Sequence, residues 1–441
     1  MNQKKGLPDV LRVTPGECMA IIGAGGKTSA MFQIARQFPR AVISITTHLL
    51  GDQGSLADRH EILRPSDFIP PTIIADGITL FTGTLDKQKF RFLSPTGKQL
   101  KQLADLCFAE KIPFFVEADG ARHRSIKAPG EHEPAIPGFA NCVVLVAGLS
   151  VFGKPLNEEF VHRPEIFARL GNIQLGDPIS AESFINVLLH PAGGLKNIPA
   201  NASRQLLFTQ PDSPAALEIG KQIAERVIGV WDRVVIGSLK PNPGEVLYTR
   251  EWVSGVVLAA GSSIRYGKPK IHENYRGKTF LRNVCENAKL ALDEVVVVTK
   301  ADDQAALNAA ADLGLKSAVN PHPEDGQSSS IRVGMNNINP RTSGVIFLHA
   351  DQPQTSPMLL RMLREHAAEF SSEIIAPLID GQRGNPVYFD RSTFSELAEL
   401  QGDQGGRQIF HRHRLSTVDW LDRKQLLDVD TPAQLRELLD E

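Results

Sequence analysis

Residues 256–270 read VVLAAGSSIRYGKPK. The apolar, β-branched start of this stretch suits a strand buried on both faces. It opens into Ala259, Ala260 and Gly261, small enough for backbone N–H groups to approach an anion, and then into Arg265, Lys268 and Lys270, whose charge offsets that of a polyphosphate. An Ala-Gly-Ser turn is also an ordinary strand-to-helix connection. The basic run behind it is what argues for a nucleotide-phosphate loop. The same succession of apolar run, glycine-rich turn and helix-like pattern recurs outward from here, at 19–22, 114–116, 143–146 and 234–236 before it and at 295–298 and 345–348 after it. Continuous apolar strands alternating with helices indicate parallel sheets covered on both faces, and so an α/β fold in both halves.

The chain has 441 residues, more than one ordinary core of about 100–200 residues accommodates. Two domains are expected. Residues 240–252, KPNPGEVLYTREW, carry two prolines and a glycine with no steady apolar period, so the organisation reads as a domain over 1–240, a linker over 241–252 and a second domain over 253–441. With 42% apolar and 22% charged residues, collagen-like, coiled-coil and wholly disordered classes are excluded. A formal charge of -2 supplies no general basic field for nucleic acid or anionic lipid, and no nucleic-acid or membrane partner is expected. Cys18, Cys107, Cys142 and Cys285 form no C-x-x-C pair, which points to buried thiols in a reducing compartment. The opening MNQKKGLPDV lacks a signal-peptide core, and nothing approaches the ~18 apolar residues that span a bilayer. A cytoplasmic location is expected.

Several residues of the second half have a physical reading of their own. Asp351 follows the apolar run 345–348, near the carboxyl end of a parallel strand, where ligands of open α/β sheets bind; a carboxylate there holds Mg²⁺ against phosphates or merely caps the Asp-Gln-Pro turn. Asp430 precedes Thr-Pro and a helix-like run and reads equally well as a helix cap. Asn385, in Gly-Asn-Pro, is placed either for a hydrogen bond to an acceptor or in a plain turn. The flexible 402–406 stretch lets a bulky phosphorylated acceptor come close, with Asp403 and Arg407 available for polar contacts; a simple loop is the alternative.

The order of these elements resembles the MobA-like nucleotidyltransferases, particularly the molybdenum cofactor cytidylyltransferases called MocA. The carrying segments are L-A-A-G-x-S-x-R-x-G-x-x-K from Leu258 to Lys270, NPHPEDGQSSSIRVG with Gly326 and Ser329, Ala350-Asp351-Gln352-Pro353, GQRGNPV, GDQGGR and DVDTP. The resemblance implies a Rossmann-like nucleotidyltransferase domain. In it Leu258, Ala259, Ala260, Gly261, Gly326 and Ser329 bind nucleotide, and Arg265, Lys270 and Asp351 are catalytic. It also implies Mg²⁺ on Asp351 and Asp430, and Asn385, Asp403 and Arg407 on the acceptor side. Leu-Ala-Ala-Gly accompanies cytidine in this superfamily and Leu-Ala-Gly-Gly guanine, so CTP is expected over GTP. Tyr266 stands where the family usually has Met.

In the first half, residues 21–29 read IIGAGGKTS after an apolar run. Gly23, Gly25, Gly26, Lys27 and Thr28 resemble a P-loop, in which amides wrap phosphates, the Lys reaches them and the hydroxyl serves Mg²⁺. Ile21 stands where strict spacing requires Gly, so this is a variant, and an ordinary glycine turn is the alternative. FFVEAD at 114–119 ends in Glu117 and Asp119 and is similar to a Walker B element that would position Mg²⁺ or water, with Asp119 a candidate metal ligand; a buried strand end with solvated carboxylates is the alternative. With ADGAR…KAPGEHEP, GKPL and VHRPE behind them, these segments resemble the YqeC family of accessory proteins for selenium-dependent molybdenum hydroxylases. A guanine-reading N-K-x-D motif is missing where Thr209-Gln210-Pro211-Asp212 stands, leaving the nucleotide of this domain undecided.

Together these readings imply a molybdenum-cofactor maturation enzyme that transfers CMP from CTP to a phosphorylated pterin of molybdopterin type and releases pyrophosphate. The first domain would be an accessory with its own nucleotide site, and a molybdenum hydroxylase is the implied partner. A transferase acting on a sugar or polyol phosphate, and a non-catalytic cofactor-binding chaperone, are the alternatives.

Overall fold

The computed structural model describes residues 3–70, 73–240, 244–261, 266, 269–403, 405–429 and 431–439. Arg265, Lys268 and Asp430 lie outside them. The chain divides into two compact units, Lys5–Arg250 and Glu251–Glu441, the latter joined by Met1–Lys4.

The first unit is built on a nine-stranded sheet. Its strands are β1 (Cys18–Gly23), β2 (Arg40–Ile45), β3 (Arg59–Ile62), β4 (Gly77–Thr82), β5 (Phe114–Glu117), β6 (Cys142–Gly148), β7 (Ser203–Thr209), β8 (Arg233–Ser238) and β9 (Glu245–Glu251). They lie in the order β9-β8-β7-β6-β1-β5-β2-β4-β3, with parallel pairing from β8 across to β3. The apolar runs are unbroken because both faces are covered. In β1, Met19 and Ile21 enter one core with Ile43, Phe115 and Val144, while Cys18, Ala20 and Ile22 enter another with Val42, Phe114 and Val116. Each Met, Ile, Val or Phe among them contributes about 1.5–3 kcal/mol by leaving water. β1 is flanked by β6 and β5, so chain order reverses beside it, the switch point at which α/β sheets open a crevice. Helix α1 (Lys27–Ala35) starts there.

From Glu245 on, the stretch expected as linker is strand β9 instead. Arg250 is buried, and its Nε lies 2.9 Å from Glu225 Oε1; Tyr248 Oη donates to the same oxygen at 3.0 Å. These side chains tie the segment to helix Pro214–Val227, a tertiary contact that the proline-rich start of the segment does not announce.

The second unit has strands β10 (Val253–Leu258), β11 (Glu294–Lys300), β12 (Lys316–Asn320), β13 (Gly344–His349), β14 (Ile374–Ile379), β15 (Gln382–Arg383), β16 (Val387–Asp390) and β17 (Leu415–Asp419). Their order is β12-β11-β10-β13-β16-β14-β15, with β17 beside β14. The runs 256–258, 295–298 and 345–348 pair in parallel as expected, and the sheet also has an antiparallel member. β16 runs antiparallel to both β13 and β14, because β14 returns through the short turn at 380–386 and not through a helix. Val295 and Val297 face one core and Val296 and Val298 the other, so the unbroken valine run again reflects two covered faces. Helix α2 (Gln327–Asn337) packs over this sheet. Among the described residues no helix is long and apolar enough to cross a membrane.

Candidate functional site

The carboxyl ends of β10 and β13 lie side by side, with Leu258 opposite His349 in register. They border a cavity of about 600 Å³ that also receives Asn385, Asp403, Arg407 and Asp428. Five parts of the sequence far apart in the chain thus meet at the carboxyl ends of these strands. Just past β13, Lys270 Nζ lies 2.6 Å from Asp351 Oδ2, with side chains 12% and 20% exposed. Lys270 and Asp351 therefore share one place, as a cationic phosphate cradle requires. Asp351 is followed by Gln352, whose Nε2 donates to Asp428 Oδ1 at 2.7 Å, so the ion pair and the cavity wall are mechanically linked. Ala259 is fixed by its N–H to Val298 O at 2.8 Å. Tyr266 is buried among Tyr275, Phe280, Val429 and Leu438.

The loop expected to touch the acceptor is held against the start of α2. Gly326 has φ +84°, and a Cβ there would stand 2.6 Å from Gly402 O and 2.7 Å from Asp403 N, so glycine is required both for conformation and for space. Asp403 Oδ1 accepts the Gln327 N–H at 3.4 Å, and Gly402 O accepts that of Ser328 at 3.2 Å. Ser329 is turned inward. Its hydroxyl donates to Gly326 O at 2.8 Å and accepts from Asn320 Nδ2 at 2.8 Å, which makes it a brace of the loop. His349 and Asp428 escaped the sequence reading. A polar residue ending a central parallel strand was the available signal for the first; for the second, DVDTP offered two aspartates and no way to choose.

At the switch point of the first unit, β1 leads into Gly25, which has φ +82°, and a Cβ there would meet Gly148 N at 2.5 Å and Ser125 O at 2.6 Å. The N–H groups of Gly23, Ala24 and Gly25 are engaged by Asp119 Oδ2, Val146 O and Arg124 O. The amides left facing outward are those at the start of α1, where a helix favours anions. Lys27 is 5% exposed. Its Nζ donates to Gly23 O at 2.9 Å and lies 3.3 Å from Asp119 Oδ1 and 3.6 Å from Glu117 Oε1. Burial opposes its charge, yet the two carboxylates outweigh burial and hold its pKa above the ordinary value. Burial pushes Glu117 up, against the pull of Lys27 and of the Thr28 hydroxyl, which donates to Glu117 Oε2 at 3.0 Å.

The network continues inward. Lys127 Nζ lies 3.0 Å from Asp119 Oδ2 and 2.6 Å from Glu133 Oε2, and Arg163 grips both oxygens of Glu133 at 2.7 and 2.9 Å. Burial would raise Glu133, but hydrogen bonds from Arg163 and Lys127 dominate and bring it down to about 2. Asp119 is thus enclosed between two lysines, whereas Glu117 and Thr28 border an open cavity of about 610 Å³. Of the two Walker-type carboxylates, Glu117 is the one that reaches this space. All four cysteines are free and buried.

A cavity at the carboxyl ends of the strands, beside a Lys–Asp pair, is chemically suited to phosphorylated compounds. Residues 255–418 match the MobA-like NTP transferase domain and residues 19–165 the YqeC protein family. The chain joins a YqeC domain to a MobA-like NTP transferase domain, and the latter is a nucleotidyltransferase. It is 28% identical over 193 residues to YqeC of Escherichia coli (strain K12), covering 42% of this chain and 73% of that protein. It is 26% identical over 130 residues to a probable molybdenum cofactor guanylyltransferase of Bacillus cereus (strain ATCC 10987 / NRS 248), covering 30% of this chain and 64% of that relative, a little under two thirds of its length. Rv0371c from Mycobacterium tuberculosis H37Rv, a solved structure, is 32% identical and aligns with 43% of this chain and 98% of its own, with TM-score 0.39. The same protein has also been solved in complex with manganese, with TM-score 0.37.

Proposed function

We propose that Glu251–Glu441 transfers CMP from CTP to the terminal phosphate of a molybdopterin-type cofactor. An acceptor phosphate oxygen bonds to the α-phosphorus, the bond from that phosphorus to the α,β-bridging oxygen breaks, and pyrophosphate leaves. Both reactants are anions, so the catalyst must offset their repulsion and hold them in line, with no protein nucleophile. The observation that carries this reading is the 2.6 Å Lys270–Asp351 pair at the end of β13. The Lys270 ammonium faces the triphosphate, the backbone at 259–261 approaches its oxygens, and Leu258 borders the base side. Asn385, Asp403 and Arg407 line the acceptor side of the same cavity.

Mg²⁺ suits this donor set: a part-exposed carboxylate on Asp351, with Asp428 coupled to it through Gln352. Those residues would hold the ion, which supplies charge neutralisation at the phosphates. Arg265 and Asp430 keep the roles implied by resemblance, in transition-state charge and metal binding. Gly326 and Ser329 act by shaping the nucleotide loop.

In Lys5–Arg250 we propose a second nucleotide site. The outward amides of α1 and Lys27 meet phosphates, with Thr28 and Glu117 disposed for a divalent ion and Asp119 orienting Lys27. This domain would serve maturation of a molybdenum hydroxylase. Incubation with molybdopterin, Mg²⁺ and either CTP or GTP tests the transferase: pyrophosphate release with CTP is expected, preference for GTP would reverse the base assignment, and release with neither would overturn the reaction.

A further inference from the structure

The 610 Å³ cleft of Lys5–Arg250 is lined by five cations, Lys27, Arg91, Arg122, Arg124 and Arg163, against two carboxylates, Glu117 and Glu133. Lys27 is committed to Glu117 and Asp119, and Arg163 to Glu133. Arg91, Arg122 and Arg124 have no carboxylate partner among the described residues. Three guanidiniums around one cavity repel one another until an anion arrives.

Each is placed by its own piece of backbone. Arg91 stands on a small sheet of Leu85–Asp86, His48–Leu50 and Arg91–Leu93, with Nη1 3.1 Å from His48 Nε2 and its buried Nε unpartnered. Arg122 and His123 both adopt left-handed backbone, φ 48° and 59°, at a cost of about 1–2 kcal/mol each. That turn is pinned to the glycine loop by Arg124 O, which accepts the Gly25 N–H at 2.9 Å. Strain kept in this way marks positions where side-chain placement matters.

We propose that this cleft takes two anionic ligands at once: a nucleoside triphosphate at the start of α1, and a second, phosphate-bearing small molecule against Arg91, Arg122 and Arg124. The inference rests on the phosphate-loop reading of residues 23–29 and adds a substrate to it. By that reading the amides at the start of α1 are taken by the triphosphate, while guanidinium forks suit bidentate contact with a further phosphate.

Calorimetry on the full chain tests this, with Lys270→Ala as a common background to weaken the other nucleotide site. The probes are tungstate, a tetrahedral dianion, and the β,γ-imido analogues of ATP and GTP. Tungstate is expected to bind while an analogue is saturating. Arg91→Ala and Arg122→Ala/Arg124→Ala, with folding checked by circular dichroism, should weaken tungstate at least about tenfold and the analogue less than about threefold. Displacement of tungstate by the analogue, or parallel loss of both in the arginine variants, would overturn the proposal. Phenyl phosphate should displace tungstate; displacement by benzoate instead would overturn the phosphate assignment. If Lys27→Ala leaves analogue binding intact, the phosphate-loop reading fails, and the arginine variants still decide the second site.

Discussion

The two glycine loops start alike, each at the end of a central parallel strand, and differ in how their lysines are held. Lys27 is enclosed by Glu117 and Asp119, which are joined through Lys127 to Glu133 and Arg163 in a chain of three cations and three anions. Lys270 pairs with Asp351 at 2.6 Å, and both side chains keep some contact with solvent. A buried network is fixed before any ligand arrives, because an uncompensated charge in low dielectric is expensive. A part-exposed pair gives way more readily when substrate and metal bring charge of their own. One lysine is therefore a structural keystone, and the other sits in a part-exposed pair.

The most severe test of that contrast is Asp119→Ala, which leaves Lys27 and Lys127 facing each other at 5% and 3% side-chain exposure. A loss of about 3–5 kcal/mol in urea unfolding is expected; a loss below about 1 kcal/mol would remove the keystone. Lys270→Ala should show the opposite profile. Transfer should slow by about 10²–10³, while stability changes by less than about 1 kcal/mol, as read by pyrophosphate release and urea midpoint.

Gly25→Ala probes backbone and not charge. Left-handed φ costs about 1–2 kcal/mol, and the contact at 2.5 Å with Gly148 N must displace the loop, so triphosphate binding at the first unit should fall at least about tenfold.

The smallest effect concerns acid. Glu133 is lowered from an ordinary 4.5 to about 2, so its contribution to stability is fully present above pH 4.5 and is lost as pH falls towards 2. Glu133→Gln should be less stable than the native chain at neutral pH, with the difference shrinking across that window. An unchanged difference at pH 3 would show that the carboxylate is not held by Lys127 and Arg163.

Much of the scaffold was legible because burial on both faces leaves no choice of residue: the valine runs at 256–258 and 295–298 lie within observed strands. The antiparallel β16 was not, since Val-Tyr-Phe is equally apolar in either direction, and β9 was hidden behind prolines whose influence ends within a few residues. At the sites, Lys270 with Asp351 and Asn385 with Asp403 and Arg407 were readable as residue types suited to phosphate chemistry. Ser329 was implied as a nucleotide contact by resemblance alone; that its hydroxyl bonds Gly326 O and Asn320 Nδ2 was not readable from the sequence. Asp119 and Glu117 were both readable as carboxylates ending a strand, but which of them borders the open cavity was not.

By itself the sequence determined two α/β domains, two strand-loop-helix openings and the families to which they belong, because strand periodicity, glycine placement and the ordered motifs are local properties. Only the tertiary structure decided which charges neutralise one another and which remain for a ligand. Ion pairing depends on distances of a few ångströms between residues as far apart in the chain as Lys27 and Asp119 or Lys270 and Asp351, and no local pattern encodes those distances.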